Sequence, residues 1–258
     1  MTCNKLTLPA ILLIITLSGI ACNTLFDRDH SLKPEEYQKL GMPEYNKIWT
    51  DNDYIGCNIT LSSLKIYDPL SFPRKNSKKS GLVFKRMVST DNLNFIYDTI
   101  SPLRLRAYTI QSYPRFQYEM EQMYTIEHKG KVYYDEELID LHIFGIAVYD
   151  KMLELAGIIK RSDDDDVSSI KSGMDVVKYN YLKYIPGIMD ELAKKDIYSE
   201  EGVNRLSKAL SESLHRNIEW MSPADKSSLL TEMKSGSEKA GSAKVKTDLQ
   251  ECIKLLSN

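Results

Sequence analysis

The stretch "LHIFGIAVY", residues 141–149, is almost uninterrupted apolar sequence near the middle of the chain, and His142 is its one strongly polar side chain. A helix that is apolar on nearly every side must be buried on nearly every side. The stretch therefore predicts a central helix over about 135–160, against which the rest of the chain packs.

Helical periodicity continues on both sides of this stretch. Seven apolar side chains that follow it lie three or four residues apart, which predicts an amphipathic helix over 167–194 that Pro186-Gly187 kinks or breaks. Ser222 and Pro223 are typical of an N-cap and first helical residue. Residues 67–81 and 235–244 are predicted to be a loop and a flexible link. Further helices are predicted over 43–64 (with Ile48, Ile55, Ile59 and Leu64 at helical spacing), 82–88, 91–112, 115–123, 199–219 and 245–256.

The predicted fold is mainly α, an irregular multi-helix bundle. The chain has only 12 Gly and 9 Pro, too few for an all-β protein of this length, which needs a turn every 8–12 residues. One segment departs from the helical pattern: "YTIEHKGKVYY", residues 124–134, in which β-forming residues flank Lys129-Gly130. We predict one small β-hairpin there, packed on the helices because an isolated hairpin is marginal in water.

The N-terminus has the layout of a bacterial export signal, with Lys5 before an apolar core. This core is too short for a permanent membrane-spanning helix, which needs about 20 apolar residues. It ends in Gly19-Ile20-Ala21-Cys22, which resembles the lipobox of bacterial lipoprotein precursors. The resemblance covers residues 1–22 only and implies that Cys22 is lipidated. The alternative is an ordinary secretory signal that leaves Cys22 a free thiol.

The resemblance and the helical pattern together divide the chain into a predicted signal peptide (1–21), a lipidated tether (22–34) and a helical domain (35–258), with a candidate sub-boundary near 161–167. Asn23 follows the cysteine where an Asp would favour retention at the inner membrane. The resemblance thus implies an outer-membrane lipoprotein that faces the periplasm. In that oxidising compartment Cys57 and Cys252 could form a disulfide, or they could be two buried free thiols.

Charge is distributed unevenly along the chain. Residues 65–115 hold ten basic and three acidic side chains, whereas residues 116–166 hold five basic and thirteen acidic ones. This contrast predicts either a charged docking face for a protein partner or two parts that pack together and neutralise each other. The net charge of −2 argues against nucleic acid as a partner.

The loop "FPRKNSKKSG", residues 72–81, is the basic segment that we expect to be exposed. It could contact an acidic protein, acidic lipid headgroups or a glycan. Tyrosine, present 16 times, adds apolar area with a polar tip of the kind that binding surfaces use. The candidate partner-binding residues are Arg74, Lys75, Lys78, Lys79, Tyr113 and Tyr118.

No catalytic, nucleotide-binding or metal-binding motif appears in the sequence. His142 could act as a base or ligand, but a hydrogen-bonded core histidine is the simpler interpretation. His215 has Glu212 and Glu219 at helical spacing, which is more typical of a solvated helix surface than of a metal site. The run 163–166 lacks the alternating ligands and distal Glu of a calcium loop. We therefore expect neither a metal nor a cofactor.

These observations favour a binding protein over an enzyme. The leading prediction is a lipid-anchored envelope protein that grips a protein partner, and it is similar as a class to the lipoproteins that neutralise toxins delivered by rival bacteria. A periplasmic or surface lipoprotein that binds a glycan through its tyrosines is the alternative. An unrecognised hydrolase-like activity centred on His142 or His215 is a third.

Overall fold

The computed structural model describes residues 29–128, 131–194 and 197–257 and is built of α-helices, as the sequence predicts. Four short 3-10 segments, Pro69–Ser71, Thr90–Tyr97, Asp165–Val167 and Ile218–Trp220, connect them. The helices are α1 (Pro34–Lys39), α2 (Asp51–Tyr67), α3 (Gly81–Met87), α4 (Leu103–Ile110), α5 (Tyr113–Tyr124), α6 (Asp135–Arg161), α7 (Ser168–Lys171), α8 (Met174–Ala193), α9 (Glu200–Asn217), α10 (Pro223–Lys239) and α11 (Ala243–Ser257).

Helix α6 is the centre of the fold, which confirms the prediction from its sequence. Its Leu141, Phe144 and Val148 are almost completely buried. Helices α5, α8 and α9 pack against it, together with the 3-10 segment Thr90–Tyr97. The stretch is apolar on nearly every side because neighbours cover it on nearly every side.

The N-terminal part is joined to α6 by an aromatic core. Tyr54 of α2 stacks on Phe116 of α5 at 5.7 Å between ring centroids and lies 6.1 Å from Phe144 of α6. The Tyr54 hydroxyl donates to the Met87 carbonyl at 2.8 Å, so this polar tip is satisfied inside the core.

The C-terminal part is a layer in which α11 packs against both α9 and α10, while α10 also packs against α8. Helix α10 begins as predicted, with Ser222 as N-cap accepting from the Asp225 N–H and with Pro223 in the first turn. The helix extends into the predicted flexible link, residues 235–244, and ends at Lys239. Gly236 is buried within this helix. It lies so close to Met189 of α8 that a Cβ at residue 236 would collide with that side chain.

Three other helix predictions differ from the structure. Residues 91–112 are two elements, because Asp98 accepts bonds from Ile100 N at 2.9 Å and Ser101 Oγ at 2.6 Å and Pro102 then precedes α4. Helix α2 begins at Asp51 rather than near residue 43, since Thr50 and Asp53 form a capping box there. The predicted helix over 167–194 is interrupted at Ser172-Gly173, between α7 and α8, and α8 continues through Pro186 without a break.

The predicted hairpin is reduced to a small contact. Glu127 pairs antiparallel with Val132 and His128 with Lys131, in strands of two residues each. The turn, Lys129-Gly130, lies outside the described residues. The fold is therefore described as all-α, and the complete hairpin stays a prediction.

The cysteines are not bonded. Cys57 on α2 and Cys252 on α11 are both buried free thiols, so the disulfide alternative is wrong for this structure. Helix α2 packs on α5, whereas α11 packs on α9 and α10, which places the two thiols in different layers. Burial raises the pKa of both thiols. Cys22 lies outside the described residues, and its lipidation stays a prediction.

Candidate functional site

The basic loop 72–81 is turned partly toward the protein itself. Lys75 Nζ lies 2.9 Å from Asp140 Oδ2, and its backbone N–H donates to Glu137 at 2.6 Å. The Arg74 guanidinium lies 4.8 Å from the Tyr133 ring centroid. The prediction that Arg74 and Lys75 are free for a partner is therefore wrong, because Tyr133 contacts Arg74 and the N-terminal part of α6 binds Lys75. Lys78 and Lys79 are exposed, although Lys79 Nζ also donates to the Asp29 carbonyl at 3.1 Å.

These contacts account for part of the uneven charge of the sequence. The basic part reaches the acidic part at Lys75 with Asp140 and again at Arg104 with Asp166, where the closest atoms are 3.9 Å apart. The structure thus favours the interpretation in which the two parts neutralise each other. Within the basic loop, Lys78 and Lys79 are the residues that stay exposed for a charged docking face.

The two tyrosines that were predicted to bind a partner differ in their burial. Tyr113 is completely buried and donates to the Asn92 carbonyl at 3.3 Å, so its assignment to a binding surface is wrong. Its ring packs against Tyr54, with centroids 5.1 Å apart, and burial raises its pKa. Tyr118 on α5 is 58% exposed and stays a candidate.

An open groove of about 930 Å³ lies between α2 and α5. From α2 it is lined by Ile55 and Ile59, and from α5 by Phe116 and Met123. Ile59 is 65% exposed. We call this feature the α2–α5 groove. Scattered exposed apolar side chains are ordinary, but two neighbouring turns of isoleucine beside a groove form a contiguous surface of the kind that binds partners.

The groove contains a buried polar group whose bonding is incomplete. Asn58 is only 6% exposed, and its Nδ2 donates to Glu119 Oε2 at 2.7 Å. Its Oδ1 has no hydrogen-bond partner within the described part of the chain. A buried acceptor without a donor costs about 1–3 kcal/mol, and such groups are few in native structures. At the rim, Arg115 Nε pairs with Glu119 Oε1 at 2.7 Å.

Sequence reasoning assigned the wrong face of α2 to the interior. The predicted stripe Ile48, Ile55, Ile59 and Leu64 has only Leu64 buried. The buried side instead carries Tyr54, Cys57, Leu61 and Leu64, at spacings of three and four residues. A helix with two apolar stripes is the sequence signal that could have revealed the groove, because one core can cover only one of them.

The core histidine lies in a polar cluster that joins three helices. His142 of α6 is 7% exposed, and its Nδ1 lies 2.5 Å from Oε1 of Glu121 on α5. Its Nε2 lies 3.9 Å from Oε2 of Glu191 on α8, which also accepts from the Tyr198 hydroxyl at 2.6 Å. The contact with Glu121 is a charge pair rather than an aligned hydrogen bond. We call Glu121, His142 and Glu191 the buried charge cluster.

The electrostatics of this cluster favour a charged imidazole. Burial alone would lower the pKa of His142, but the carboxylates of Glu121 and Glu191 outweigh it, and the pKa is raised above its ordinary value. Burial alone would likewise raise the pKa of Glu191, yet Lys194, Tyr198 and His142 hold it below its usual range. The prediction that His142 is a core residue is confirmed, with a charge pair as its main polar contact.

The second histidine candidate lies at the surface. His215 is exposed, and its Nδ1 lies 2.8 Å from the Ser211 carbonyl of the preceding turn. Over residues 29–128, 131–194 and 197–257, no three His, Cys, Asp or Glu side chains are arranged to hold a metal ion. Among the helices of these residues, none combines the length and apolarity needed to cross a bilayer. Comparisons of the chain with protein-family models, with curated proteins and with solved structures found no match.

Proposed function

We propose that this chain is a lipid-anchored bacterial envelope protein that binds a protein partner in the α2–α5 groove. The observation that carries the proposal is the exposed isoleucine surface of that groove, where Ile55 is 46% and Ile59 is 65% exposed. The occupant that fits is an apolar segment of another protein.

The energetics support such an occupant. Complete burial of an isoleucine side chain is worth about 1.5–3 kcal/mol. Because Ile55 is 46% and Ile59 is 65% exposed, a partner that covers them would gain roughly half of that value at each. The Arg115–Glu119 pair at the rim would contribute mainly to selectivity, because exposed ion pairs are worth about 0–1 kcal/mol.

The setting of the proposal comes from the N-terminal sequence. Lipidation at Cys22, removal of residues 1–21 and an outer-membrane position facing the periplasm together imply that the partner is itself an exported protein. The most specific form of the proposal is neutralisation of a toxin delivered by a rival bacterium. The proposed protein also has a helical domain over 35–258 and a small β-hairpin near 124–134.

Site-specific photocrosslinking in intact cell envelopes tests the groove. We would place a photoreactive residue at Ile59 and, as a matched control, at Val176 of α8, which is 57% exposed and lies outside the groove. The expected result is one adduct with an exported protein from position 59 and none from position 176. Equal adducts from both positions, or no adduct from either, would contradict the proposal.

A second variant separates binding from folding. Ile59→Asp is expected to reduce the yield of that adduct, formed from a photoreactive residue at Ile55, about tenfold or more. Its free energy of unfolding should change by less than about 0.5 kcal/mol, as is usual at exposed positions. Leu61 on the same helix is fully buried, and Leu61→Ala is expected to cost about 3 kcal/mol.

Four of the tyrosines on which the glycan alternative rests are poorly placed to bind a ligand. Tyr113, Tyr124, Tyr134 and Tyr181 are all buried in the core, and their rings contact other aromatic rings. Recovery of a glycan rather than a protein on position 59 would count against the protein-binding proposal.

A further inference from the structure

A second cleft of about 500 Å³ lies beside the C-terminal half of α6, and it shares no residue with the α2–α5 groove. It is bounded by α6, by the end of α9 and by Trp220 in the following 3-10 segment. Pockets of roughly 300–1,000 Å³ are the usual size for small-molecule sites. This size is suited to a ligand with one or two rings.

The charges that line the cleft leave one cation in excess. Lys151 pairs with Glu154 at 2.8 Å, and Arg216 pairs with Asp150 at 2.5 Å. Arg161, the last residue of α6, has no acidic partner in the part of the chain that the structure describes. The cleft therefore has a net charge of +1 from these five side chains, and Arg161 carries the charge that is not neutralised.

The Arg216 side of the cleft is held by a fixed carboxylate. Asp150 accepts hydrogen bonds from Ser213 Oγ at 2.5 Å and from Asn217 Nδ2 at 2.6 Å, in addition to its pair with Arg216. With both oxygens bonded and its side chain only 13% exposed, Asp150 stays with Arg216 and does not compete for Arg161. The anionic part of a ligand is thereby directed to Arg161.

Trp220 and Gly157 shape the cleft next to Arg161. A Cβ at residue 157 would lie 3.3 Å from both Arg161 Nη1 and Trp220 Cζ2, so the absence of a side chain lets these two groups approach the helix backbone. Lys160 lies outside the cleft lining, with its Nζ 5.0 Å from the Trp220 ring centroid, and it also pairs with Asp175 at 2.8 Å. The indole is therefore steadied from outside the cleft.

We propose that this cleft binds a sugar that carries one carboxylate. Arg161 would bind the carboxylate through two parallel N–H donors, the geometry in which guanidinium and carboxylate match best. The indole of Trp220 would pack against the apolar face of the ring. A monoanion fits the single uncompensated charge, whereas a dianion would have to displace Asp150 or Glu154 from its cation.

The test uses the intrinsic fluorescence of the purified full-length protein in detergent, with D-glucuronate as the probe. The chain has two tryptophans, and Trp49 is buried in the core at 1% exposure, so Trp220 is the reporter that the ligand can reach. We expect a saturable change in fluorescence that disappears in Trp220→Phe. Saturation-transfer NMR of the sugar protons provides a second readout that does not depend on tryptophan.

Two comparisons isolate the carboxylate and its arginine. Arg161→Gln should weaken glucuronate binding about tenfold or more, which is the scale of a hydrogen-bonded charged pair. Arg104→Gln removes the same charge at an exposed ion pair outside the cleft and should leave binding unchanged. D-glucose, which lacks the carboxylate, should bind about tenfold more weakly than glucuronate.

Several results would overturn the proposal. These are no saturable signal in either readout, equal affinity in the Arg161→Gln protein, equal affinity for glucose, or equal affinity for acetate, which has the carboxylate without the ring. None of these measurements involves the α2–α5 groove. A failure here is therefore distinguishable from a failure of the protein-binding proposal.

Discussion

Helix α5 separates two regions that place polar and apolar groups in opposite ways. On its α6 side, Glu121 meets His142 with both side chains about one-tenth exposed or less. On its α2 side it borders the α2–α5 groove, where Ile59 is 65% exposed. Charged side chains are therefore buried in the first region, whereas aliphatic side chains are exposed in the second.

The difference lies in whether the chain supplies the partner. A buried charge is tolerated only when it is paired, and α5, α6 and α8 each contribute one member of the buried charge cluster. The isoleucines of α2 and the Oδ1 of Asn58 have no such complement within the described chain. The first region is therefore completed by the chain itself, whereas the second leaves an apolar surface exposed, as a docking site for a partner would.

Removing one member of the buried charge cluster is expected to have the largest effect on stability. Glu121→Ala leaves His142 buried without its closest carboxylate and also removes the acceptor of Gln117. Breaking a buried pair from one side costs about 3–5 kcal/mol. Denaturant unfolding, followed by circular dichroism, should show a loss of that size.

The matched control is an exposed pair on α9. Lys208 and Glu212 lie 3.8 Å apart with both side chains more than half exposed, and Glu212→Ala should cost less than about 1 kcal/mol. Equal losses from Glu121→Ala and Glu212→Ala would remove the distinction drawn between the two regions.

The predictions from the sequence succeeded where local periodicity sets the structure and failed where packing between distant parts of the chain sets it. Periodicity located α6 and α8 because a repeat of three and four residues is a local property of the chain. It did not locate the groove, because α2 carries two apolar stripes and only the packing of α5 decides which one is covered. Arg74, Lys75 and Tyr113 were assigned to the surface because the residues that they contact, Tyr133, Asp140 and Asn92, are distant in sequence.

A smaller effect is expected from the pH dependence of the buried charge cluster. Because its carboxylates raise the pKa of His142 in the folded state, the charged imidazole contributes stability that is fully present below about pH 6.5. That contribution is lost as the pH rises through the raised pKa of the folded protein. Glu121, Glu191, Lys194 and Tyr198 are the neighbours that set this balance.

The measurement is the free energy of unfolding at about pH 6 and about pH 9, for the wild type and for His142→Gln. We expect the advantage of the wild type over the variant to be larger at the lower pH. An advantage that is constant, or that grows toward alkaline pH, would show that the imidazole is neutral throughout and that the cluster is not a charge pair.

The smallest effect on stability is expected at Asn58, and a second buried asparagine provides the comparison. Asn92, 1% exposed, accepts from Trp49 N at 2.9 Å and donates to Arg86 O at 2.7 Å, so Asn92→Leu should cost about 3 kcal/mol by leaving those groups unpaired. Asn58→Leu loses the bond to Glu119 but also removes an acceptor that was never satisfied, and the two changes should cancel to within about 1 kcal/mol. Denaturant unfolding of the two variants is the measurement. Equal losses from Asn58→Leu and Asn92→Leu would show that the Oδ1 of Asn58 does have a partner in the folded protein.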